Sequence, residues 1–200
     1  MVSETKKKKI KKRIFTKKNY MSGDGMLTTV WGPSMWHYLH TMSFNYPVHP
    51  TSEDKKKYKE FILNLQYTLP CKYCRINLKN NFKHHPLKDC NLKNRDTFSR
   101  YIYQLHEIVN KMLKKKSNLT YCEVRERYEH FRSRCTNDTK VLNDQNKLFK
   151  FKKSKKEKGC TEPLYGKKAK CMINIVPQSK KGKTINIDSK CIKSRTKKNK

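Results

Sequence analysis

Two cysteines separated by two residues, Cys71 and Cys74 in the run TLPCKYCRINLKNNFKHHPLKDC, are the residues of this sequence best suited to chemistry. With His84, His85 and Cys90 following, they admit three readings. As metal ligands, Cys71, Cys74, His84 or His85, and Cys90 make a Cys3His zinc set. The second half of a usual zinc module is badly spaced here, and two histidines before a proline are also ordinary loop polarity. As a structural staple, a CxxC closes a very short ring, which favours reducible disulfides over permanent ones. As a redox dithiol, Cys71 belongs at a helix N-terminus, because Pro70 ends the apolar-periodic run before it. Unpaired N–H groups and the helix dipole stabilise a thiolate at such a position, and Lys72 and Arg75 add positive potential. The redox reading explains the most. A thioredoxin fold is disfavoured, since its CxxC follows a strand and an amphipathic helix precedes this one.

Two further constellations accompany the dithiol. WGPSMWHYLHTMSFNYP puts Trp36 and His40 four residues apart on one helix face, and HEIVN does the same for His106 and Asn110. Either pair alone is ordinary core packing. Both in one small helical domain, with a CxxC at a helix start, point to a flat aromatic ligand held between helices.

The elements that must position these residues are helical. A helix with Pro33 at its first position carries Trp36, Leu39, His40, Ser43 and Phe44 on one face, and YPVHP breaks it. Thr51 with Asp54 makes a capping-box-like start for a second helix, with Tyr58, Phe61, Ile62 and Leu65 at helical spacing. A third starts at Cys71 and aligns Cys74, Leu78 and Phe82; HHPLKDCNLKN after it reads as a loop. Asp96 reads as the cap of a long fourth helix with Phe98, Tyr101, Ile102, Leu105, Val109 and Met112 inward. Thr120 and Glu123 cap a fifth, carrying Val124, Tyr128 and Phe131. No strand-like alternation competes in the core, and only residues 171–188 have some β character. The expected class is all-α: a four-helix bundle with a short fifth helix packed across it.

Composition sets the frame around this core. The chain has 200 residues and a formal net charge of +33, concentrated at its two ends. We expect a basic arm over 1–24, a folded domain over 25–137 and a Lys-rich tail over 138–200. The arms are expected to be largely disordered, having too little apolar surface to offset their ordering entropy. Such charge suits non-specific binding of polyanions, or simply a solvated tail. No helix-turn-helix or C2H2 spacing speaks for specific DNA reading. No apolar stretch follows the basic N-terminus, so no signal peptide is expected, and no apolar run is long enough to span a membrane. Eight cysteines are many for a reducing compartment, so catalytic, metal-bound or locally oxidised cysteines are expected.

Taken in order, the W…HYLHTMSFNYP helix, CKYC at a helix start and HEIVN make the sequence, over about residues 27–135, resemble the Erv/ALR family of FAD-linked sulfhydryl oxidases. The lack of a Gly-rich Rossmann loop suits a family that binds FAD inside a helical bundle. The resemblance implies that Trp36, His40, His106 and Asn110 contact FAD and that Cys71–Cys74 is the proximal disulfide. It also implies protein dithiols as substrates, oxygen as acceptor with release of hydrogen peroxide, and a homodimer.

The chain departs from that pattern in two places. Cellular members carry a longer-spaced structural cysteine pair late in the domain, for which Cys122 and Cys135, with twelve residues between, are the candidates. On one unbroken helix they would stand about 20 Å apart, too far to bond. Either a turn intervenes or one pairs elsewhere, Cys90 being a candidate. The tail GCTEPLYGKKAKCMINIVP is similar to tails of sulfhydryl oxidases from nucleocytoplasmic large DNA viruses, which would place the protein in host cytoplasm or virion. Cys160 and Cys171 are candidates for a shuttle disulfide there, or for a stapled loop, with Cys191 a spare thiol. Two other functions remain open on the residues alone. One is a zinc-stabilised, basic nucleic-acid-binding protein using Cys71, Cys74, His84 or His85, and Cys90. The other is a helical interaction module without catalysis.

Overall fold

A computed structural model describes residues 15–23, 25–134, 160–180 and 182–193. Its helices are α1 (Lys17–Met21), α2 (Thr28–Phe44), α3 (Ser52–Thr68), α4 (Lys72–His84), α5 (Arg95–Met112) and α6 (Tyr121–Glu129). Short 3-10 helices cover Asp89–Leu92 and Ser189–Cys191. Strands β1 (Ser133–Arg134) and β2 (Glu162–Pro163) pair antiparallel. The five helices expected from periodicity are all present. Residues 1–14 and 24 of the first arm, 138–159, 181 and 194–200 of the tail, and Cys135 lie outside the described residues.

Local chemistry explains where the helices begin. Thr51 Oγ1 accepts the Asp54 N–H while Asp54 returns a carboxylate to the Thr51 N–H at 2.8 Å, a reciprocal cap. Thr120 and Glu123 repeat it at α6. Each such cap contributes about 1 kcal/mol. Two starts differ from expectation. Pro33 lies inside α2 rather than at its first position, because the helix begins at Thr28 behind Leu27, which has no side-chain cap. The cap of α5 is Asn94, not Asp96: the Asn94 side chain accepts the Thr97 N–H, and Asp96 instead holds Arg100 at 2.7 Å. Within the segment read as the first arm, Thr16 and Asn19 form a reciprocal cap that starts the short α1.

Packing follows the apolar stripes. α2 packs on α5 and α6, and α3 packs on α4. The main core joins Leu39, Tyr46, Ile62, Leu65, Leu78, Phe82, Phe98, Tyr101, Ile102 and Leu105. Phe44, Tyr121, Val124 and Tyr128 make a second cluster where α6 crosses α2. Met112, expected inward, is 43% exposed at the frayed end of α5. The YP corner after α2 is pinned by Tyr46, whose hydroxyl donates to the Leu92 carbonyl at 3.0 Å and whose own carbonyl accepts Arg95 Nε at 2.6 Å. Pro70 ends α3, leaving Leu69 and Cys71 extended ahead of α4. No helix among the described residues is long and apolar enough to cross a membrane.

Candidate active site

Cys71 is the N-cap of α4, with extended backbone, and its Sγ accepts the Cys74 N–H at 3.2 Å. Both cysteines are half-buried thiols in the structure. Arg75, one residue on, is tied by its Nη1 to the Leu69 carbonyl at 2.6 Å. The two thiols have split proton affinities. Partial burial pushes Cys71 up, but hydrogen bonds from the Cys74 side chain and from the Cys74 and Tyr73 amides, with the Arg75 charge, more than offset it and leave its pKa lowered. Burial, the hydrogen bond to Cys71 and the charge there push Cys74 up to about 11. The lowering expected for a helix-start CxxC therefore reaches Cys71 alone. The dithiol releases one proton readily, and the remaining one sits on Cys74.

The second constellation forms where α2 meets α5. Trp36 stacks on His106 with ring centroids 4.0 Å apart and planes 7° from parallel. His40 Nε2 lies 2.9 Å from His106 Nδ1. Only one of those two nitrogens carries the shared proton, and burial disfavours the charged form of either ring, so the pair is neutral near pH 7. Burial, then the neighbouring His106 and His37, push His40 down to about 3. Burial, only partly opposed by Glu107, and then Lys115 push His106 down to about 4. Tyr128 of α6 extends the aromatic wall, stacking on His40 at 5.3 Å and on Phe44 at 5.4 Å. The other His40 nitrogen, Nδ1, is buried without a hydrogen-bond partner. A buried polar atom left bare is costly, by about 1–3 kcal/mol. A polar ligand group reaching it would remove that cost. The Trp36–His106 stack is already in van der Waals contact, so a flat ligand must lie against it rather than within it.

Trp36, His40 and His106 are thus brought together, whereas Asn110 is not tied to them: its Nδ2 donates to Glu107 Oε1 at 3.0 Å. Just beyond it, Lys111, Lys114, Lys115 and Lys116 line a cleft of about 600 Å3 at the end of α5. Those ammonium groups suit a phosphate-bearing part of a ligand. Tyr128 was legible in the sequence only as a core residue, and nothing in its spacing marked it as part of the wall.

The zinc set does not form. Among the described residues no group of three or more potential ligands comes together. The reason is geometric: α4 runs from Lys72 to His84, so His84 stands about 20 Å from Cys71 along the helix rise. His85 stacks on Tyr101 at 4.9 Å, and Cys90 is exposed in the 3-10 helix. Cys122 is exposed on α6. Cys160 and Cys171 are exposed on the tail, Cys160 just ahead of β2.

Comparison with known proteins bears on this arrangement. A protein of Acanthamoeba polyphaga mimivirus, named as a probable FAD-linked sulfhydryl oxidase, is 37% identical over 99 residues, covering 50% of this chain and 68% of that one. The FAD-linked sulfhydryl oxidase of African swine fever virus (Kenyan pig isolate) is 31% identical over 99 residues, covering 50% and 80%. The FAD-linked sulfhydryl oxidase ERV1 of Arabidopsis thaliana is 31% identical over 84 residues, covering 42% of this chain and 42% of that one. Residues 33–132, the span that holds the dithiol and the aromatic wall, match the sequence model of the Erv1 / Alr family, and the chain belongs to that family.

Proposed function

We propose that this chain is an FAD-dependent thiol oxidase of the viral type, which forms disulfides in protein substrates. The observation that carries the reading is the split dithiol at the N-cap of α4. Trp36, His40, His106 and Asn110 would hold the flavin, and the lysines after α5 would face its phosphates. The bare His40 Nδ1, the neutral imidazole pair and the flat aromatic surface fit such a ligand.

The thiol chemistry follows from the residues. In the oxidised pair a substrate thiolate attacks Cys71 Sγ. The Cys71–Cys74 bond breaks, Cys74 leaves and takes up a proton, and a mixed disulfide joins substrate to Cys71. The second substrate thiolate attacks the substrate sulfur and expels Cys71 as a thiolate. Its lowered pKa makes Cys71 the better leaving group at that step. Two substrate thiols have become one disulfide, and the pair holds two electrons. FAD supplies, when bound, acceptance of those electrons and their delivery to oxygen as hydrogen peroxide. The neutral, water-poor wall of Trp36, His40 and Tyr128 keeps charge away from the ligand face.

The remaining parts extend the same reading. Cys160 and Cys171 serve as a shuttle pair on the tail, and the basic arms bind polyanions non-specifically. The protein works as a homodimer in host cytoplasm or virion. Removing the chain beyond residue 140 should spare oxidation of a small dithiol and slow oxidation of a folded protein dithiol. An unchanged ratio of the two rates rejects the shuttle. The main test is oxygen consumption with a dithiol substrate: Cys74→Ser should retain bound flavin and lose turnover. Substantial residual turnover would reject the Cys71–Cys74 pair as the reacting dithiol.

A further inference from the structure

We propose that residues 25–27 form a strap that holds Cys71 in its reactive conformation, with Gly25 and Trp31 as positioning residues. Gly25 makes an isolated antiparallel bridge to Cys71, and the Met26 N–H donates to the Pro70 carbonyl at 2.7 Å. The strap is fastened to α2 by Trp31, whose indole N–H donates to the Met26 carbonyl at 3.1 Å. The approach needs glycine. A Cβ at residue 25 would lie 2.7 Å from the Pro70 oxygen and 2.8 Å from Cys71 Cα, both backbone atoms that have no room to yield.

The bridge acts on Cys71 through its backbone. An N-cap residue must hold extended φ and ψ for its side chain to reach the N3 amide. Cys71 sits at φ −158 and ψ 120, and pairing with Gly25 enforces that extended geometry. The Sγ then meets the Cys74 N–H, the contact that favours thiolate over thiol. Among the described residues, the charge that lowers Cys71 is that of Arg75. The stretches 25–31 and 67–70 contain no ionisable group except the Tyr67 hydroxyl, and Arg75 lies on α4 itself, as does the neutral Cys74 thiol that hydrogen-bonds Cys71. Asp24 lies outside the described residues. The strap therefore sets which thiol of the pair is the nucleophile and leaving group.

The proposal rests on the thiol oxidase reading for the role of Cys71, but its test does not require turnover. The full chain with its flavin is reduced and kept under nitrogen, then alkylated with iodoacetamide across a pH series. Mass spectrometry follows the Cys71 peptide alone. Gly25→Ala should raise the pH midpoint of Cys71 alkylation by about one unit, with about tenfold slower labelling below it. Helix content and bound flavin should be unchanged. Trp31→Phe, which keeps an aromatic ring but deletes the indole hydrogen bond, should shift the midpoint the same way by less, about threefold in rate. An unshifted midpoint in folded Gly25→Ala overturns the strap. If that variant does not fold, an unshifted midpoint in Trp31→Phe overturns it. A native protein that consumes no oxygen while both variants shift would reject the oxidase reading and leave the strap standing. Normal oxygen consumption with unshifted midpoints removes the strap alone.

Discussion

Mild acid should unfold this domain through two histidines before its carboxylates matter. His40 and His106 share one hydrogen bond at 2.9 Å, and burial, the main cause in both, holds their pKa values at about 3 and about 4 instead of 6.5. A group whose folded pKa is depressed binds more protons when unfolded, so stability falls as pH drops below the unfolded value. Between pH 6.5 and 4.5 the linkage relation gives about 2 kcal/mol for each imidazole, or about 4 kcal/mol together as an upper figure. That is a large share of a small domain's stability, about 5–15 kcal/mol. His37 and His85, also lowered by burial, act in the same direction. The lowered carboxylates, Asp96 and Glu129 among them, lose their contribution only at lower pH. The assay is urea unfolding followed by helix signal at half-unit pH steps, on flavin-free protein so that ligand release does not enter. His106→Gln, which can still pair with His40 Nε2, should cut the loss roughly in half. A stability that stays flat from pH 6.5 to 4.5, or a loss of equal size after both histidines are replaced, would refute the neutral-pair argument.

Three other outcomes are expected. His106→Ala removes the stack on Trp36 and the partner of His40, and should lower the melting temperature of the apo-protein by the equivalent of about 2–4 kcal/mol. It should also release the flavin, forfeiting about 4 kcal/mol more at ligand a thousandfold above its dissociation constant; a full flavin complement at unchanged melting temperature would move the pocket elsewhere. Cys90→Ser, at an exposed 3-10 position, should change stability by less than about 0.5 kcal/mol and leave dithiol turnover intact, as denaturant titration and oxygen uptake will read. Deleting residues 1–22 should leave small-dithiol turnover unchanged while weakening DNA binding and flattening its salt dependence, since each neutralised phosphate releases counterions.

Much of this architecture was legible because its signals are local. Thr51 with Asp54 and Thr120 with Glu123 announce helix starts by side chains three residues apart, and both caps form. The misplacements have the same origin. Leu27 starts α2 without a capping side chain, so Pro33 was the nearest visible marker. Asn94 pairs with Thr97 rather than with a glutamate, which made Asp96 look the better cap. The histidines were legible one at a time, each on its own helix face, but their contact joins residues 66 apart and needs the packing of α2 on α5. The Gly25–Cys71 bridge is hidden for another reason, because it pairs a loop with a helix cap and leaves no periodicity behind. Asn110, which its spacing puts on the helix face of His106, bonds Glu107 one turn back, a partner that spacing alone does not decide.

The central claim is that electrons pass from substrate thiols into the Cys71–Cys74 pair and on to a flavin held by the same helices. Its most direct test is anaerobic titration of the purified flavin-bound protein with a dithiol, followed by the flavin absorption band. The account predicts that the band bleaches in the native protein and returns when oxygen is admitted. It predicts no bleaching in Cys71→Ser or Cys74→Ser, each with its flavin still bound. Bleaching that proceeds equally without either cysteine would contradict it, as would a folded native protein that takes up no flavin at all.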